Sequence, residues 1–272
     1  MKDMKVIGDD RVTSIGMGTW GIGGRETADH SRDGESVEVL RHGLELGINL
    51  IDTAEFYGAG HSEELVGMAI KGFPREDIFI ISKVWPTHFG YEEAKKAARA
   101  SARRLGTYID LYLLHWPVDD FGKIEATLHA LEDLVDEGLI RYVGVSNFDL
   151  ELLKRSQEAM RRYEIVANEV KYSLKDRWPE DSGLLDYMKR DGIALIAYTP
   201  LEKGSLAMNE CLAGIGRNYG KSAAQVALNY LIWNDNVVAI PKAGRKEHVE
   251  ENAGAMGWRL SKEDRERARR CV

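Results

Sequence analysis

Eight short apolar runs punctuate the chain, and several are apolar at consecutive positions rather than at every second one, as in Ile78-Phe79-Ile80-Ile81. A strand with one wet face alternates, whereas a strand apolar on both faces must be covered on both, as in a parallel sheet flanked by helices. The runs fall at Ser14–Trp20, Asn49–Asp52, Ile78–Lys83, Ile109–His115, Arg141–Val145, Ile165–Asn168, Ile193–Tyr198 and Val237–Pro241. Between them the apolar period lengthens towards 3.6, which predicts helices over Ser36–Leu46 (Val37, Leu40, Leu44), Tyr91–Leu105, Ile124–Glu137, Leu150–Met160, Leu184–Lys189 and Ala223–Trp233. Gly47, Gly106, Gly138 and Gly192 follow helical stretches, where a left-handed residue commonly closes the last turn. Strands alternating with helices, without a break in composition, predict an α/β fold: one closed (β/α)8 TIM barrel over residues 1–272.

The size fits, since α/β barrels of about 250 residues form one domain. The chain has 272 residues, 44% of them hydrophobic. Before the first barrel strand, Val6–Val12 reads as a hairpin about a polar turn. After the last, a helix starting near residue 245 and one behind the capping-box pattern Ser261-Lys262-Glu263-Asp264 add extra C-terminal helices. A net charge of −7 with no Lys/Arg block argues against a nucleic-acid partner. No apolar run reaches the ~18 residues that span a bilayer. The N-terminus shows no signal-peptide pattern, so a cytoplasmic protein without a membrane partner is expected. Cys211 and Cys271 are the only cysteines, too few for a disulfide framework or a Cys-rich metal site, and no metal is expected.

Gly16-Met17-Gly18-Thr19-Trp20-Gly21 spells the G-x-G-x-x-G of dinucleotide-binding turns. That motif works only where a helix starts at the turn, and here helical periodicity resumes only near Ser36. The informative positions are instead the C-terminal strand ends, where barrels of this kind place their active sites. Asp52, Lys83 and His115 end the second, third and fourth strands, and Tyr57 follows Asp52 by five residues. Singly, each has an ordinary structural reading as a cap, a solvated strand end or a core histidine. Together they suit proton transfer to a carbonyl oxygen. A tyrosine, with an ordinary pKa of about 10, is a reluctant acid. A lysine ammonium stabilises its phenolate, an aspartate holds the lysine charged, and a histidine orients the substrate oxygen.

These residues sit in segments that resemble the aldo-keto reductase family. The segments are Gly18-Thr19-Trp20, Ile51-Asp52-Thr53-Ala54-Glu55-Phe56-Tyr57-Gly58, Ser82-Lys83-Val84-Trp85, Leu113-Leu114-His115-Trp116-Pro117, Ile140–Phe148, Ala197–Leu201 and Ile240-Pro241-Lys242. They run in the family's order from residue 6 to about 255. The resemblance implies reduction of aldehydes and ketones to alcohols, with Tyr57 as general acid, Asp52 and Lys83 tuning it and His115 orienting the carbonyl. It implies a nicotinamide dinucleotide laid across the barrel mouth. Ser146, Asn147 and Glu169 would hold the carboxamide and Tyr198 would stack on the ring. Thr19, Trp20, Asp52, Thr199, Pro200 and Leu201 would line the same cleft, and the stretch from Lys242 to Asn252 would take the adenosine end (Lys242, Ala243, Arg245, His248, Glu251, Asn252). Trp20, Trp85 and Trp116, with Tyr57 and His115, would line the substrate pocket.

Three departures shape the expectations. Glu169 stands where the family commonly has Gln, and a carboxylate accepts hydrogen bonds but cannot donate one. Ala243 and His248 replace the usual Ser and Arg of the 2′-phosphate pocket. The four basic residues Lys242, Arg245, Lys246 and His248 at a helix start still favour NADP(H) over NAD(H). The sequence closes at Val272 without the long loop that covers the pocket in many relatives, so an open site for small substrates is expected. A monomer is expected. Two other readings are a cofactor-sensing regulatory subunit on the same barrel and a Schiff-base enzyme using Lys83.

Overall fold

In the computed structural model, which describes residues 3–272, β1 (Met4–Ile7) and β2 (Asp10–Thr13) pair antiparallel as the predicted hairpin. Eight parallel strands follow: β3 (Met17–Gly18), β4 (Leu50–Asp52), β5 (Phe79–Val84), β6 (Ile109–Leu114), β7 (Ile140–Ser146), β8 (Ile165–Lys171), β9 (Ala194–Tyr198) and β10 (Val237–Ala239). Each pairs with its sequence neighbour. The ends of the sheet meet through bridges at Ile15↔Ala239 and Gly18↔Lys242, giving the (β/α)8 barrel. Gly16 and Gly18 serve this closure rather than a phosphate. A Cβ on Gly16 would lie 2.4 Å from Leu50 Cδ2, and one on Gly18 would lie 2.7 Å from the Ile240 carbonyl oxygen.

Alternation along the strands sorts the apolar residues into two clusters. Leu50, Phe79, Ile81, Leu111, Leu113, Ala167, Ala194, Ile196, Val238 and Ile240 fill the barrel, with Ile7 and Val12 of the hairpin joining them. Ile51, Ile80, Tyr112, Val143, Val145, Val170 and Leu195 pack outward against the helices. Because side-chain direction repeats every second residue, the inward rows predict which strand-end residues look into the mouth. Leu50 leads to Asp52, Ile81 to Lys83, Leu113 to His115, Ala167 to Glu169 and Ile196 to Tyr198.

The helices are α1 (Asp33–Glu45), α2 (His61–Ala69), α3 (Tyr91–Leu105), α4 (Phe121–Asp136), α5 (Leu150–Ala159), α6 (Trp178–Asp181), α7 (Leu184–Arg190), α8 (Glu210–Arg217), α9 (Ala223–Ile232), α10 (Lys246–Ala253) and α11 (Lys262–Arg269). Periodicity located α1, α3, α4, α5, α7 and α9, but not α2 or α8. In α2 the polar residues His61, Ser62 and Glu63 are buried along with the apolar ones, which erases the amphipathic stripe. Glu63 accepts from Ser82 Oγ at 2.5 Å and from Arg104 Nε at 2.6 Å. His61 is clamped by Asp33 Oδ1 on Nε2 and Glu64 Oε2 on Nδ1, both at 2.8 Å. His30 also meets Asp33, at 3.3 Å, but both ring nitrogens of His61 are already engaged as an ion-pair clamp.

Two expectations are corrected here. The Ser261 side chain accepts from the Asp264 amide at 3.0 Å, but Asp264 does not complete a capping box; its carboxylate accepts from Tyr219 Oη at 2.8 Å and Arg267 at 2.6 Å. The reciprocal box forms instead between Ser222 and Gln225 at the start of α9. Cys211 on α8 and Cys271 after α11 are joined in a disulfide. They are 60 positions apart in sequence, so only the packing of α11 on α8 and α9 brings them together. Among the described residues no helix is long and apolar enough to cross a membrane.

Candidate active site

At the C-terminal rim, Lys83 Nζ is the centre of a buried cluster. It donates to Asp52 Oδ1, to the Thr53 carbonyl oxygen at 3.0 Å and to Tyr57 Oη at 3.4 Å. Glu169 Oε2 lies 3.3 Å from the same nitrogen. Lys83 is fully buried and Asp52, Glu169, His115 and Tyr57 are all 8% exposed or less. Burial alone would lower the Lys83 pKa, but the Asp52 carboxylate paired with it outweighs that and holds the ammonium above its ordinary value. A charged, fully engaged Lys83 is the wrong state for a Schiff-base nucleophile, which must be neutral.

Tyr57 departs from expectation in one respect. Lys83 does favour the phenolate, yet burial dominates, and the charge of Asp52 adds to it, so the hydroxyl is held above its ordinary pKa. It is a neutral donor. His115 is pushed down to about 2 by burial and then by Lys83, which leaves a neutral imidazole edge-on to Tyr57 with ring centroids 5.5 Å apart. Its Nδ1 is buried and has no hydrogen-bond partner, and neither has Glu169 Oε2. Orphaned polar atoms at a strand-end mouth mark where a polar ligand group would bind.

Three of the predicted carboxamide-binding residues are tied to one another. Ser146 Oγ donates to the Glu169 carbonyl at 2.9 Å, and Asn147 Nδ2 donates to the His115 carbonyl at 3.1 Å. Tyr198 Oη donates to Asn147 Oδ1 at 2.8 Å. Among the described residues, the non-glycine ones with positive φ are Ala59, Asn147, Thr199, Glu202 and Lys203, all in segments that follow barrel strands β4, β7 and β9. Strained backbone of this kind concentrates at binding sites. Pro200 is buried and Leu201 packs on the core, both just beyond Thr199.

Above the acid cluster the rings form a wall. Phe56 stacks on Trp85 at 3.9 Å and on Trp20 at 6.2 Å, while Trp20 meets Tyr57 edge-on at 4.9 Å and Trp85 meets His115 at 5.1 Å. Phe56 was missed, although its place beside Tyr57 was the available signal. Trp20 and Trp116 are each 43% exposed, so this wall is open to solvent.

The basic stretch after β10 is only partly assembled as expected. Lys242, Ala243 and Gly244 line a small cleft of about 70 Å³ with Gly21–Gly24, Asp29, Arg32, Glu35 and Ser36. Burial, then the charges of Arg32 and Arg25, lower the Lys242 pKa, while Arg32 itself is paired with Glu35 at 2.6 Å. Arg25 and Arg32 carry no motif and were not singled out from the sequence. Arg245 caps α10 and contacts His248 Nε2 at 2.8 Å, whereas Lys246 turns away to Glu38 at 3.1 Å. Glu251 and the buried Asn252 lie further along α10.

Comparison with known proteins gives the same answer as the geometry. The family model described as the aldo/keto reductase family matches residues 14–272. The chain is 38% identical over 266 residues to the methylglyoxal reductase YeaE of Escherichia coli, covering 96% of this chain and 91% of that protein. It is 45% identical to the thermostable aldo-keto reductase Tm1743, solved with the inhibitor epalrestat, with a TM-score of 0.94 and 99% of each chain covered. An aldo/keto reductase from Klebsiella pneumoniae, solved with NADP and acetate, is 36% identical at a TM-score of 0.89, covering 99% of this chain and 95% of that one. With its barrel, its strand-end acid cluster and these relatives in agreement, the chain belongs to the aldo/keto reductase family, an oxidoreductase that reduces aldehydes and ketones.

Proposed function

We propose that the protein reduces small aldehydes and ketones to alcohols with NADPH, Tyr57 donating the proton. The observation that carries this reading is the inward row of strand ends, which sets Tyr57 Oη against a buried Lys83–Asp52 pair and beside a neutral His115. As charge develops on a carbonyl oxygen, Tyr57 supplies its proton while the Lys83 ammonium stabilises the phenolate left behind. Neutral His115 donates a hydrogen bond to that oxygen and fixes its direction. The reduced nicotinamide, when bound, supplies the hydride.

The residues present fit such a cofactor. The orphaned Glu169 Oε2 and the Ser146–Asn147–Tyr198 chain offer polar partners for a carboxamide. Thr19, Trp20, Asp52 and the turn Thr199–Leu201 border the same mouth. At the other end, Lys242 and Ala243 line a cleft with Arg32, and the following stretch with Arg245, His248, Glu251 and Asn252 would take the phosphate and adenosine. Preference for NADP(H) over NAD(H) rests on those cations. The half-exposed Trp20 and Trp116 favour small substrates, and 2-oxoaldehydes fit the relative named a methylglyoxal reductase.

Two measurements test this. Tyr57→Phe removes only a hydroxyl, so NADPH should still quench tryptophan fluorescence while carbonyl reduction falls by at least ~10²-fold. Near-normal turnover in that variant would remove Tyr57 from its role. Across a panel of small aldehydes, rates should spread modestly, and a single substrate favoured by ~10⁴-fold would contradict an open site.

A further inference from the structure

The strand-end pocket holds one cation and two carboxyls. Lys83, Asp52 and Glu169 have side chains no more than 3% exposed. If both carboxyls were ionised, one negative charge would lie uncompensated in a pocket without solvent, which is strongly unfavourable. Hydrogen-bond arithmetic says which carboxyl is in excess. An ammonium has three N–H donors, and those of Lys83 are directed at Asp52, the Thr53 carbonyl and Tyr57. Glu169 can only share a donor: its Oε2 lies 3.3 Å from Nζ, farther than Asp52, and makes no hydrogen bond of its own. Its carboxyl nevertheless lies within hydrogen-bonding range of Asp52.

We propose that Glu169 is a neutral carboxylic acid that donates its proton to Asp52, so that the pocket holds one cation and one anion. The groups facing it support this from every side. Asp52 arrives from β4, Tyr57 from the segment behind it, Lys83 from β5 and Tyr198 from β9, while His115, just after β6, is neutral and faces Lys83. Burial and then repulsion from Asp52 raise the Glu169 pKa well above the carboxylate range. An amide at this position would donate to Asp52 in the same way without ever titrating. The glutamate adds a proton that can be lost.

The functional consequence rests on the cofactor reading above. While Glu169 is protonated, the surroundings of the nicotinamide site gain no charge from it. When it ionises at alkaline pH, the new negative charge favours the cationic oxidised ring over the neutral reduced one. The ratio of NADP+ to NADPH affinity should therefore climb with pH, by at most tenfold per pH unit for one proton.

Infrared spectroscopy of the cofactor-free protein tests the proton directly, and fluorescence titration at several pH values tests its effect. A protonated-carboxyl band should be present at neutral pH and absent in Glu169→Gln. It should also be absent in Asp52→Asn, where Glu169 becomes the only carboxyl opposite Lys83 and ionises. The affinity ratio should rise with pH in the unmodified protein and stay flat in Glu169→Gln. A missing band, a band that survives both substitutions, or equal pH dependence in Glu169→Gln overturns the proposal. If neither cofactor binds at any pH, the cofactor reading fails, and the infrared band still decides where the proton lies.

Discussion

Arg245 is the single side chain on which the proposed NADP(H) preference most depends. It caps α10, eight residues long, in the basic stretch that follows Lys242. An arginine can hold a phosphate bidentately, and a hydrogen bond to a charged group contributes roughly 1.5–3 kcal/mol. Arg245→Ala is therefore expected to weaken NADPH binding by about that amount while barely altering NADH, as measured by fluorescence titration. Equal losses for both cofactors would show that Arg245 does not meet the 2′-phosphate. At this scale the strand-end chemistry was legible, because Asp52, Lys83 and His115 each continue an inward row that alternation alone defines. The approach of Arg25 and Arg32 to Lys242 was not, since no local pattern relates a loop after β3 to the end of β10.

Among the elements, α2 carries the clearest pH dependence. His61 opens it and is held between Asp33 of α1 and Glu64 one turn on. Burial would lower the His61 pKa, but the hydrogen bonds its ring donates to Glu64 and Asp33 outweigh it and raise it above the ordinary value. A raised folded-state pKa means the folded protein holds the proton more tightly than the unfolded chain. The contribution is then complete below the ordinary histidine value of about 6.5 and fades as pH rises through the raised folded value. Thermal denaturation of His61→Gln should show its largest Tm deficit relative to the unmodified protein at acidic pH, shrinking towards alkaline pH. A constant deficit would mean that packing, not charge, is what His61 contributes. The burial of Ser62 and Glu63 beside it also explains why this helix is invisible to periodicity. By contrast α3, with alanines inward and charges outward, matches its predicted bounds at both ends.

For the whole molecule, the disulfide between Cys211 and Cys271 fastens the C-terminal helix α11 to α8. Closing a loop of 60 residues removes chain entropy from the unfolded state worth about 4 kcal/mol. Reduction, or the double substitution Cys211→Ala with Cys271→Ala, should lower Tm by several degrees. Carbonyl reduction at room temperature should be unchanged, because neither cysteine lies among the strand-end residues. An unaltered Tm would show that the packing of α11 through Tyr219, Asp264 and Arg267 holds it without the bond.

By itself the sequence determined the barrel, the order of its strands, the hairpin beneath it and the strand-end positions of the four residues proposed for proton transfer. These follow from local rules: consecutive apolar positions demand a sheet covered on both faces, and a two-residue repeat assigns each strand end to the inside or outside. Resemblance to a family then supplied their roles. Tertiary structure decided what depends on distance in space rather than in sequence. It decided the pairing of two cysteines, the arginines brought near Lys242, the aromatic wall built on Phe56, and the protonation of Glu169. That last point could not be read from residue types, because a glutamate is ordinarily an anion. It becomes an acid here only because folding buries it beside a second carboxyl and a single lysine that is already paired more closely with that carboxyl.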